Sequence, residues 1–411
     1  MTYIADLIKE HCPNGVEWRE LGEVCNVVTD FTAAGSFASN AKNVKYLKEP
    51  DFAQLIRTTD LKSKFQGNKF IYVDEHAFNY LHRVNLNEES LILPNVGNCG
   101  EIYYLQPSDL PSDNNVLGPN ALLIRSNMAN NRYLYHLFLD SKFQSDLEKI
   151  TSKTGQTKFN KTNLKKILIP IPPLKIQEEI VQILDKFTEY VTELTAELTL
   201  RQKQYNYFRD YLLNFDSDSS GGANNKVYQV EWKTLGDIAK LKNGKDWKSL
   251  SVGDVPVYGS GGAMGEFVSE YAYNKPTVLI PRKGSISNLF YLEKPFWNVD
   301  TIYYTEIDDS QVVPRYLYYY LTTIDLESMA TNPTRPSLTQ AILDKIPIPV
   351  PSLPIQQRIV QVLDNFDAVC NDLNIGLPKE IELRQKQYEY FREKLLTFTA
   401  EGVYTDSTDK T

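Results

Sequence analysis

Two glycine-containing turns carry polar side chains of the types that recognise nucleic-acid bases. They lie in SLILPNVGNCGEIYYL (90–105) and TVLIPRKGSISNLFYL (277–292), each an apolar strand, a Pro-x-x-Gly turn and an aromatic strand. The polar side chains of the two turns are Asn95, Asn98, Arg282, Lys283 and Ser285. Arginine and lysine pair with guanine acceptors and asparagine pairs with adenine, so the unlike turns are predicted to read different sequences. The alternative, that both are ordinary hairpin tips, stays open.

Further candidate DNA-binding residues lie in basic or small-residue segments. Segment 149–166 contains lysines and no acidic residue, and VYGSGGAMG (257–265) is expected to be a flexible loop that admits close backbone approach. The candidates outside the two turns are Arg57, Lys62, Lys64, Lys153, Gln156, Lys158, Lys242, Lys245, Tyr258, Ser260, Gly261, Gly262, Asn332, Thr334 and Arg335.

The net charge of −8 argues against nucleic-acid binding, because phosphate contacts are made by lysine and arginine. The charge is unevenly distributed, however. Segment 176–213 holds seven acidic and four basic residues. Since screening limits each charged patch to about 8 Å at cellular salt, the acidic surplus is assigned to a scaffold and the lysines to the binding surface.

No catalytic motif is found. The sequence lacks a P-loop, His-Glu-x-x-His and Gly-x-Ser-x-Gly. Asp51, Asp60 and Lys62 only loosely imitate a nuclease triad, and the string from Asn332 is not the Asn-Pro-Pro-aromatic loop of adenine methyltransferases. The histidines, which have no metal-ligand spacing, are His11, His76, His82 and His136. We therefore predict a chain without catalytic residues or a metal site of its own.

The elements that must position the two turns belong to an internal repeat. Each copy has a short entry, a long variable body, a proline-rich turn and a helix. The matching blocks are VEWRELGEV (16–24) with VEWKTLGDI (230–238), PIPPLKIQEEIVQILDKF (170–187) with PVPSLPIQQRIVQVLDNF (349–366), and RQKQYNYFRDYLLNF (201–215) with RQKQYEYFREKLLTF (384–398). Similar frames therefore hold dissimilar bodies.

Apolar residues at steps of three or four predict a long amphipathic helix over 176–213, about 57 Å long, behind the turn made by Pro172 and Pro173. The second copy is predicted to break near Gly376 and Pro378. The expected seam is Ile180, Phe187, Leu194, Leu198, Tyr205, Phe208, Ile359, Phe366, Tyr388 and Phe391, with Val362, Val369 and Leu373 also in the second helix. The two helices are expected to pair; the alternative is that they merely dimerise the chain.

The expected fold class is α+β, with two globular mixed α/β recognition domains separated by two long helices that pack as an antiparallel coiled coil, related by an internal pseudo-twofold repeat. The predicted segments are recognition domain 1 (1–163), a proline-rich turn and central helix (164–215), a flexible linker (216–226), recognition domain 2 (227–342), a second proline-rich turn and broken helix (343–398), and a disordered tail (399–411). Without a long apolar run or a Cys-x-x-Cys pair, a cytoplasmic protein with reduced cysteines is expected, with no membrane partner.

The doubled Pro-rich turn and helix, the paired RQKQY-x-YFR blocks and the paired VEW-x-x-LG entries resemble the specificity subunits of type I restriction-modification systems, and most closely the branch called type IC. The resemblance implies that each body reads one half of a split, asymmetric site in double-stranded DNA. It further implies that the helices set the unread gap and dock two methyltransferase subunits, which bring S-adenosylmethionine and methylate adenine N6. Two restriction subunits with ATP and magnesium would join them, and this chain would bind no cofactor.

The same resemblance implies that four-residue changes in the central helix alter the gap, and VTEL-TAEL (191–198) is such a tetrad written twice. Three other functions stay open: a helical interaction scaffold, a DNA-binding protein not tied to methylation or restriction, and a self-sufficient nuclease or methyltransferase.

Overall fold

The computed structural model describes residue 6 and residues 10–153, 155–215, 230–331 and 336–398. The chain divides into two compact units, here called the first unit (Met1–Thr192 with Leu383–Thr411) and the second unit (Glu193–Glu382). The predicted linker and tail lie outside the described residues. The unit boundaries fall inside the long helices, so each helix contributes residues to both units.

The first unit combines short strands with short helices. Its strands are β1 (Glu17–Glu20), β2 (Val27–Asp30), β3 (Ala53–Ile56), β4 (Ile71–Val73), β5 (Ser90–Pro94), β6 (Tyr103–Leu105), β7 (Asn115–Leu117), β8 (Ala121–Arg125) and β9 (Leu168–Ile171). Its helices are α1 (Leu21–Val24), α2 (Phe37–Asn43), α3 (Thr58–Lys62), α4 (Glu75–Tyr80), α5 (Asn131–Leu139), α6 (Ser141–Ile150), α7 (Lys161–Leu164) and the start of α8 (Leu174–Leu213). Short 3-10 turns occur at Phe31–Ala34, His82–Val84 and Pro107–Asp109.

Three sheets form in the first unit: β1 with β9, β2-β8-β5-β6, and β4-β3-β7, in which β3 and β7 are parallel. In β5, Leu91 and Leu93 face one apolar core and Ile92 faces another. Because successive side chains of a strand point to opposite faces, a strand buried on both faces has a continuous apolar sequence. That is why SLILP reads as an unbroken apolar run.

The second unit repeats this arrangement. Its strands are β10 (Glu231–Thr234), β11 (Ala239–Asn243), β12 (Val252–Gly259), β13 (Gly262–Val268), β14 (Thr277–Pro281), β15 (Phe290–Leu292), β16 (Trp297–Asn298), β17 (Ile302–Ile307) and β18 (Pro347–Val350). Its helices are α9 (Leu235–Ile238), α10 (Pro314–Leu321), α11 (Gln340–Leu343), α12 (Leu353–Asn371) and the start of α13 (Leu377–Leu396). The sheets are β10 with β18, β11-β17-β14-β15, and β13-β12-β16 with β12 parallel to β16. Each strand thus has the place of the strand numbered nine lower, as expected for an α+β internal repeat.

The VEW-x-x-LG entry pairs with the Pro-rich turn in both units. Trp18 lies opposite Pro170 in the antiparallel β1–β9 pair, and Trp232 lies opposite Pro349 in β10–β18. A Cβ atom on Gly22 would lie 2.9 Å from Lys165 Cβ, so the close crossing requires glycine. The entry and the Pro-rich turn of each sequence repeat, which lie on either side of the variable body, are therefore one structural joint.

The long helices follow the predicted outline but not the whole predicted seam. α8 is continuous, whereas α12 ends at Asn371 and α13 begins at Leu377, with Gly376 between them. A Cβ atom on Gly376 would lie 2.6 Å from the carbonyl oxygens of Ala368 and Asp372. Only glycine fits that turn of chain.

Part of the predicted seam of the second helix is wrong. Val362, Val369 and Leu373 are 40%, 41% and 72% exposed, whereas Leu363 and Cys370 are buried. The helix contains adjacent apolar residues at 362–363 and 369–370, and spacing alone does not decide which of two neighbours faces inward. Packing selects the other member of each pair.

The remaining seam residues have the following environments. Ile180 and Ile359 are buried; Phe187, Leu194, Leu198, Tyr205, Phe366, Tyr388 and Phe391 are half-buried; and Phe208 is exposed. In the first unit the ring of Phe187 stacks on Phe391 with centroids 5.0 Å apart. In the second unit Phe208 stacks on Phe366 at 5.4 Å. Each unit thus pairs a segment of α8 with a segment of the C-terminal helices.

The expectation of a flexible loop at 257–265 is wrong. β12 and β13 form a hairpin in which Gly259 pairs with Gly262, leaving Ser260 and Gly261 as a two-residue turn. Gly262 has φ +104°, which glycine adopts without steric cost. The small residues serve a tight turn rather than a mobile loop.

Candidate nucleic-acid interface

The turn between β5 and β6 is held against a distant part of the first unit. Asn95 N–H donates to Asn120 O at 3.1 Å, and Phe159 N–H donates to Asn95 O at 3.1 Å. Gly97, at φ +85°, donates its N–H to Thr157 O at 2.8 Å. The candidates that these contacts bring together are Asn95, Asn98, Lys153, Gln156 and Lys158. The lysine-containing segment therefore lies beside the first turn.

The turn between β14 and β15 has the same backbone contacts in the second unit. Arg282 N–H donates to Thr301 O at 2.9 Å, and Leu338 N–H donates to Arg282 O at 2.9 Å. Gly284 has φ +80° and accepts from Ile286 N–H at 2.9 Å. The two Arg282 bonds repeat those of Asn95, and the Gly284 bond repeats that of Cys99 N–H to Gly97 O at 2.9 Å. The side chains differ at Asn95 and Arg282, Val96 and Lys283, Asn98 and Ser285, Cys99 and Ile286, Gly100 and Ser287, and Glu101 and Asn288.

Arg57, Lys62 and Lys64 lie in the segment after β3, around α3. Arg57 Nη2 is 2.6 Å from Asp60 Oδ1, and this hydrogen bond raises the pKa of Arg57. The Arg57 guanidinium and the buried Asp60 carboxylate are therefore paired with each other. Because this pair uses the carboxylate, Asp60 is poorly placed to act in the nuclease-like triad. Lys62 Nζ lies 3.5 Å from Glu101 Oε1, which joins this segment to the first turn. Lys64, at φ +49°, is exposed.

Asn95 is the candidate least suited to base reading. Its Oδ1 atom is buried and has no hydrogen-bond partner among the described residues. Whichever way the amide is turned, one of its two polar atoms lies inside the protein. A bidentate contact to adenine needs both, so Asn98 is the asparagine of this turn that has an exposed amide.

The hairpin of β12 and β13 lies against the second turn. A Cβ atom on Gly284 would be 3.2 Å from Ser260 Oγ, and Ser260 N–H donates to Thr301 Oγ1 at 3.2 Å. The rings of Tyr258 and Phe290 are 6.4 Å apart. Exposed Gly261 and buried Gly262 complete this hairpin tip. The structure thus brings the predicted glycine-rich segment and the Arg282 turn into one surface.

Hydrogen bonds and ion pairs hold several basic side chains of the second unit. Arg282 Nη1 contacts Asn243 Oδ1 at 3.3 Å and Asp300 O at 3.4 Å, and its guanidinium carbon lies 5.6 Å from the centre of the Tyr303 ring. Lys283 Nζ is 3.4 Å from Asp300 Oδ2. These contacts orient the cations while leaving Lys283 half exposed. Lys242 Nζ lies 3.3 Å from Glu306 Oε2 and Lys245 is exposed, whereas Asn332, Thr334 and Arg335 lie outside the described residues.

Sequence reasoning missed the polar residues that orient the candidates. They are Glu101, Asn243 and Asp300. Glu101 and Asn288 lie six residues after Asn95 and Arg282, at equal places in the aligned turns. Extending the comparison of the two turns by three residues beyond Asn98 and Ser285 would have found both.

A cluster around the buried side chain of His136 joins the body of the first unit to the long helices. Asp185 Oδ1 accepts from Arg132 Nε at 2.8 Å and lies 2.7 Å from His136 Nε2, while His136 Nδ1 lies 3.0 Å from Tyr388 Oη. Burial lowers the pKa of His136 and raises the pKa of Tyr388 to about 12, so a neutral imidazole accepts from the tyrosine and donates to the carboxylate. Burial opposes ionisation of Asp185, but the hydrogen bonds from His136 and Arg132 lower its pKa.

The second unit builds the same joint with a different residue. Arg315 Nε lies 2.5 Å from Asp364 Oδ1, and Tyr319 Oη donates to the same oxygen at 2.5 Å. Tyr319 thus replaces His136. Among the described residues, no cluster of three or more His, Cys, Asp or Glu side chains is arranged to hold a metal ion. None of the described helices is long and apolar enough to span a membrane.

Comparison with known proteins gives a family match over most of the chain. Residues 13–201 and 229–383 match the family described as "Type I restriction modification DNA specificity domain". A Haemophilus influenzae protein assigned as a type I restriction enzyme specificity subunit is 34% identical over 293 residues, covering 66% of this chain and 73% of the relative. The specificity subunit of the Escherichia coli enzymes EcoR124I and EcoR124II is 36% identical over 266 residues, 57% of this chain and 63% of the relative.

Two solved structures share the fold. The crystal structure of the S subunit of a type I restriction-modification system from M. genitalium superimposes with a TM-score of 0.58 at 19% identity, covering 93% of this chain and 97% of that one. A chain from a study of complex assembly and conformational transition of the type I system gives 0.55 at 18% identity, covering 93% and 98%.

Proposed function

Because the chain belongs to the family of type I restriction-modification DNA specificity proteins, we propose that each of its two units reads one half of a split, asymmetric DNA site. Membership confirms the resemblance drawn from the doubled motifs, and DNA sequence recognition is the role of this family. The division of labour between the units is the part that we propose.

One observation carries this proposal: two recognition turns that share backbone hydrogen bonds and carry different side chains. Arg282 and Lys283 occupy the positions held by Asn95 and Val96 in the first unit. Base edges are distinguished by the donors and acceptors that meet them, so the two turns suit different bases. A shared frame with unlike contents is what an asymmetric site in two halves requires.

The family works in a complex with methyltransferase and restriction subunits and DNA. We propose that two methyltransferase subunits dock on the long helices and that two restriction subunits complete the assembly. In this proposal S-adenosylmethionine is held by the methyltransferase subunits, ATP and magnesium are held by the restriction subunits, and this chain binds none of them. Two equivalent helix segments support a pair of like partners.

We propose further that this chain has no catalytic activity of its own. In support, the carboxylate of Asp60 is engaged by Arg57, and the buried His136 is engaged by Asp185 and Tyr388. The purified chain should leave DNA neither methylated nor cleaved until a methyltransferase subunit is added.

The test exchanges residues 18–160 with the corresponding segment of a relative that reads a different site. The assembled methyltransferase complex is then expressed, and methylated sites are mapped across a genome by single-molecule sequencing. We expect one half-site to change and the other to stay. The matched control exchanges residues 232–338, which should change only the opposite half. A change in both halves from either exchange would show that the units do not recognise DNA independently.

A further inference from the structure

Glu101 is an acidic residue in the candidate DNA-binding turn, where a negative charge would repel phosphate. Its side chain is 35% exposed. Oε1 accepts from Asn98 Nδ2 at 3.1 Å and lies 3.5 Å from Lys62 Nζ. Oε2 accepts from Tyr103 Oη at 2.6 Å. The carboxylate therefore joins three side chains from two segments of the first unit.

Tyr103 can act only as a donor in this group. Burial and the hydrogen bond to Glu101 raise the pKa of Tyr103 well above its ordinary value, so its hydroxyl stays protonated. Lys62 is likewise a donor and supplies a positive charge beside the carboxylate. Together they hold Glu101 in place and offset its charge on the candidate DNA-binding surface.

The effect of this arrangement falls on Asn98. An amide can normally turn over and exchange its donor with its acceptor, but an ionised carboxylate only accepts. The amide nitrogen of Asn98 must therefore face Glu101. One N–H is used in that bond. The second N–H and the carbonyl oxygen remain available, and the bond to Glu101 fixes which side of the amide donates and which side accepts.

We propose that Asn98 reads an adenine in the half-site of the first unit, and that Glu101, braced by Lys62 and Tyr103, is the positioning residue that sets its donor and acceptor. The remaining N–H would donate to adenine N7, and the carbonyl oxygen would accept from adenine N6. Asn95 cannot replace it, because one of its polar atoms is buried. This inference rests on the proposed function and names one contact within it.

The second turn lacks this device. The residues at the positions of Asn98 and Glu101 are Ser285 and Asn288, both exposed. The second turn therefore has no asparagine whose amide is oriented by a carboxylate at these two positions. The expected adenine contact belongs to the first unit alone. Variants of Asn98 and Glu101 should therefore affect one half-site.

The experiment uses the assembled complex with its methyltransferase subunits and a pool of DNA duplexes randomised in both half-sites. Bound duplexes are recovered and sequenced for the wild type, Asn98→Ala, Glu101→Gln, Tyr103→Phe and the control Glu49→Gln. Glu49 is exposed and precedes β3, whereas the candidate residues of the first unit all follow β3. Glu49→Gln removes the same negative charge as Glu101→Gln. Thermal unfolding of each complex checks that the variants fold.

We expect Asn98→Ala to reduce the preference for adenine at one position about 5- to 150-fold. Glu101→Gln should reduce the preference at the same position by roughly two- to tenfold, because glutamine accepts or donates and releases the amide. Tyr103→Phe should act in the same direction, more weakly. Glu49→Gln should leave the profile unchanged.

Two results would overturn the inference: unchanged base preferences in the Asn98 and Glu101 variants, or a preference lost in Asn98→Ala that is for a pair other than adenine–thymine. A merely electrostatic role predicts that Glu101→Gln binds every sequence more tightly with the same preferences, and that result also counts against positioning. Failure of the proposed function looks different, because the wild-type complex would then select no two-part site at all.

Discussion

At the residue scale, the two units solve one problem with different side chains. Arg132 and Arg315 each bind a helix aspartate, Asp185 or Asp364. The third partner is His136 in the first unit and, in the second unit, the tyrosine that replaces it. In each unit this third partner donates to the aspartate oxygen that also accepts from the arginine. Of the two, only histidine titrates near neutral pH. The first unit should therefore carry a pH dependence that the second lacks.

The substitution His136→Gln tests this difference. Burial lowers the pKa of His136 below its ordinary value of 6.5, so below that pH the unfolded chain takes up a proton that the folded chain does not. Stability is therefore full above pH 6.5 and falls as the pH decreases, until the lowered pKa is passed. We expect the wild type to lose up to about 1.4 kcal/mol per pH unit from this group, and the variant to lack that component.

Urea unfolding between pH 5 and 8 measures the effect, with His82→Gln as a control because His82 is exposed. Asp185, whose pKa is lowered, stays ionised between pH 5 and 8, and Tyr388, whose pKa is raised to about 12, stays protonated, so neither titrates in this range. Equal pH slopes for wild type and His136→Gln would contradict the assignment.

At the element scale, one glutamine in each unit joins the first turn of a long helix to the body. Gln177 Oε1 accepts from Asn130 N–H at 2.8 Å, and Gln177 Nε2 donates to Pro172 O at 2.7 Å. Gln356 makes the equivalent contacts to Val313 N–H at 2.8 Å and Pro351 O at 2.8 Å. Proline sets the direction of each turn, and glutamine attaches it to the body.

Gln177→Leu should lower the free energy of unfolding by roughly 2–3 kcal/mol, because the partners left behind lose hydrogen bonds inside the protein. The control is Gln182→Leu, an exposed position on the same helix, which should change stability by less than about 0.5 kcal/mol. Chemical denaturation of the two variants gives the comparison. Equal stability of both variants would show that helix attachment does not depend on the buried amide.

At the scale of the whole molecule, α8 runs without interruption from the first unit into the second, and α13 crosses from the second unit into the first. Residues 191–198 of α8 repeat a four-residue unit at the boundary between the two units. A change in this length is expected to alter the distance between the half-sites.

Deletion of Thr195 to Leu198 shortens α8 by about 6 Å. At ~3.4 Å per base pair, the unread gap should decrease by one or two base pairs while both half-sites are kept. Genome-wide methylation mapping of the assembled complex reads the gap directly. The control is Thr195→Val with Ala196→Thr, which writes the first tetrad twice at constant length and should leave the gap unchanged. A constant gap after the deletion would mean that α8 does not set it.

The sequence by itself determined the doubled plan, the strand-turn-strand frame of both recognition turns, the continuous central helix and the interruption at Gly376. These features are local or repeated, so proline, glycine and apolar spacing are sufficient to predict them. Membership of the family followed from the same blocks. The assignment of the acidic surplus to the scaffold and of the lysines to the binding surface stays a prediction.

Only the tertiary structure decided which residues of the candidate interface can act. Asn95, which accepts from the backbone of distant Phe159, has one side-chain polar atom buried inside the protein. The guanidinium of Arg57 is held by Asp60. Sequence spacing also allowed either Val362 or Leu363 to face inward, and in the folded chain Leu363 is the buried residue. Periodicity specifies which residues share a face, but burial and hydrogen-bond partners depend on segments that meet only in the folded chain.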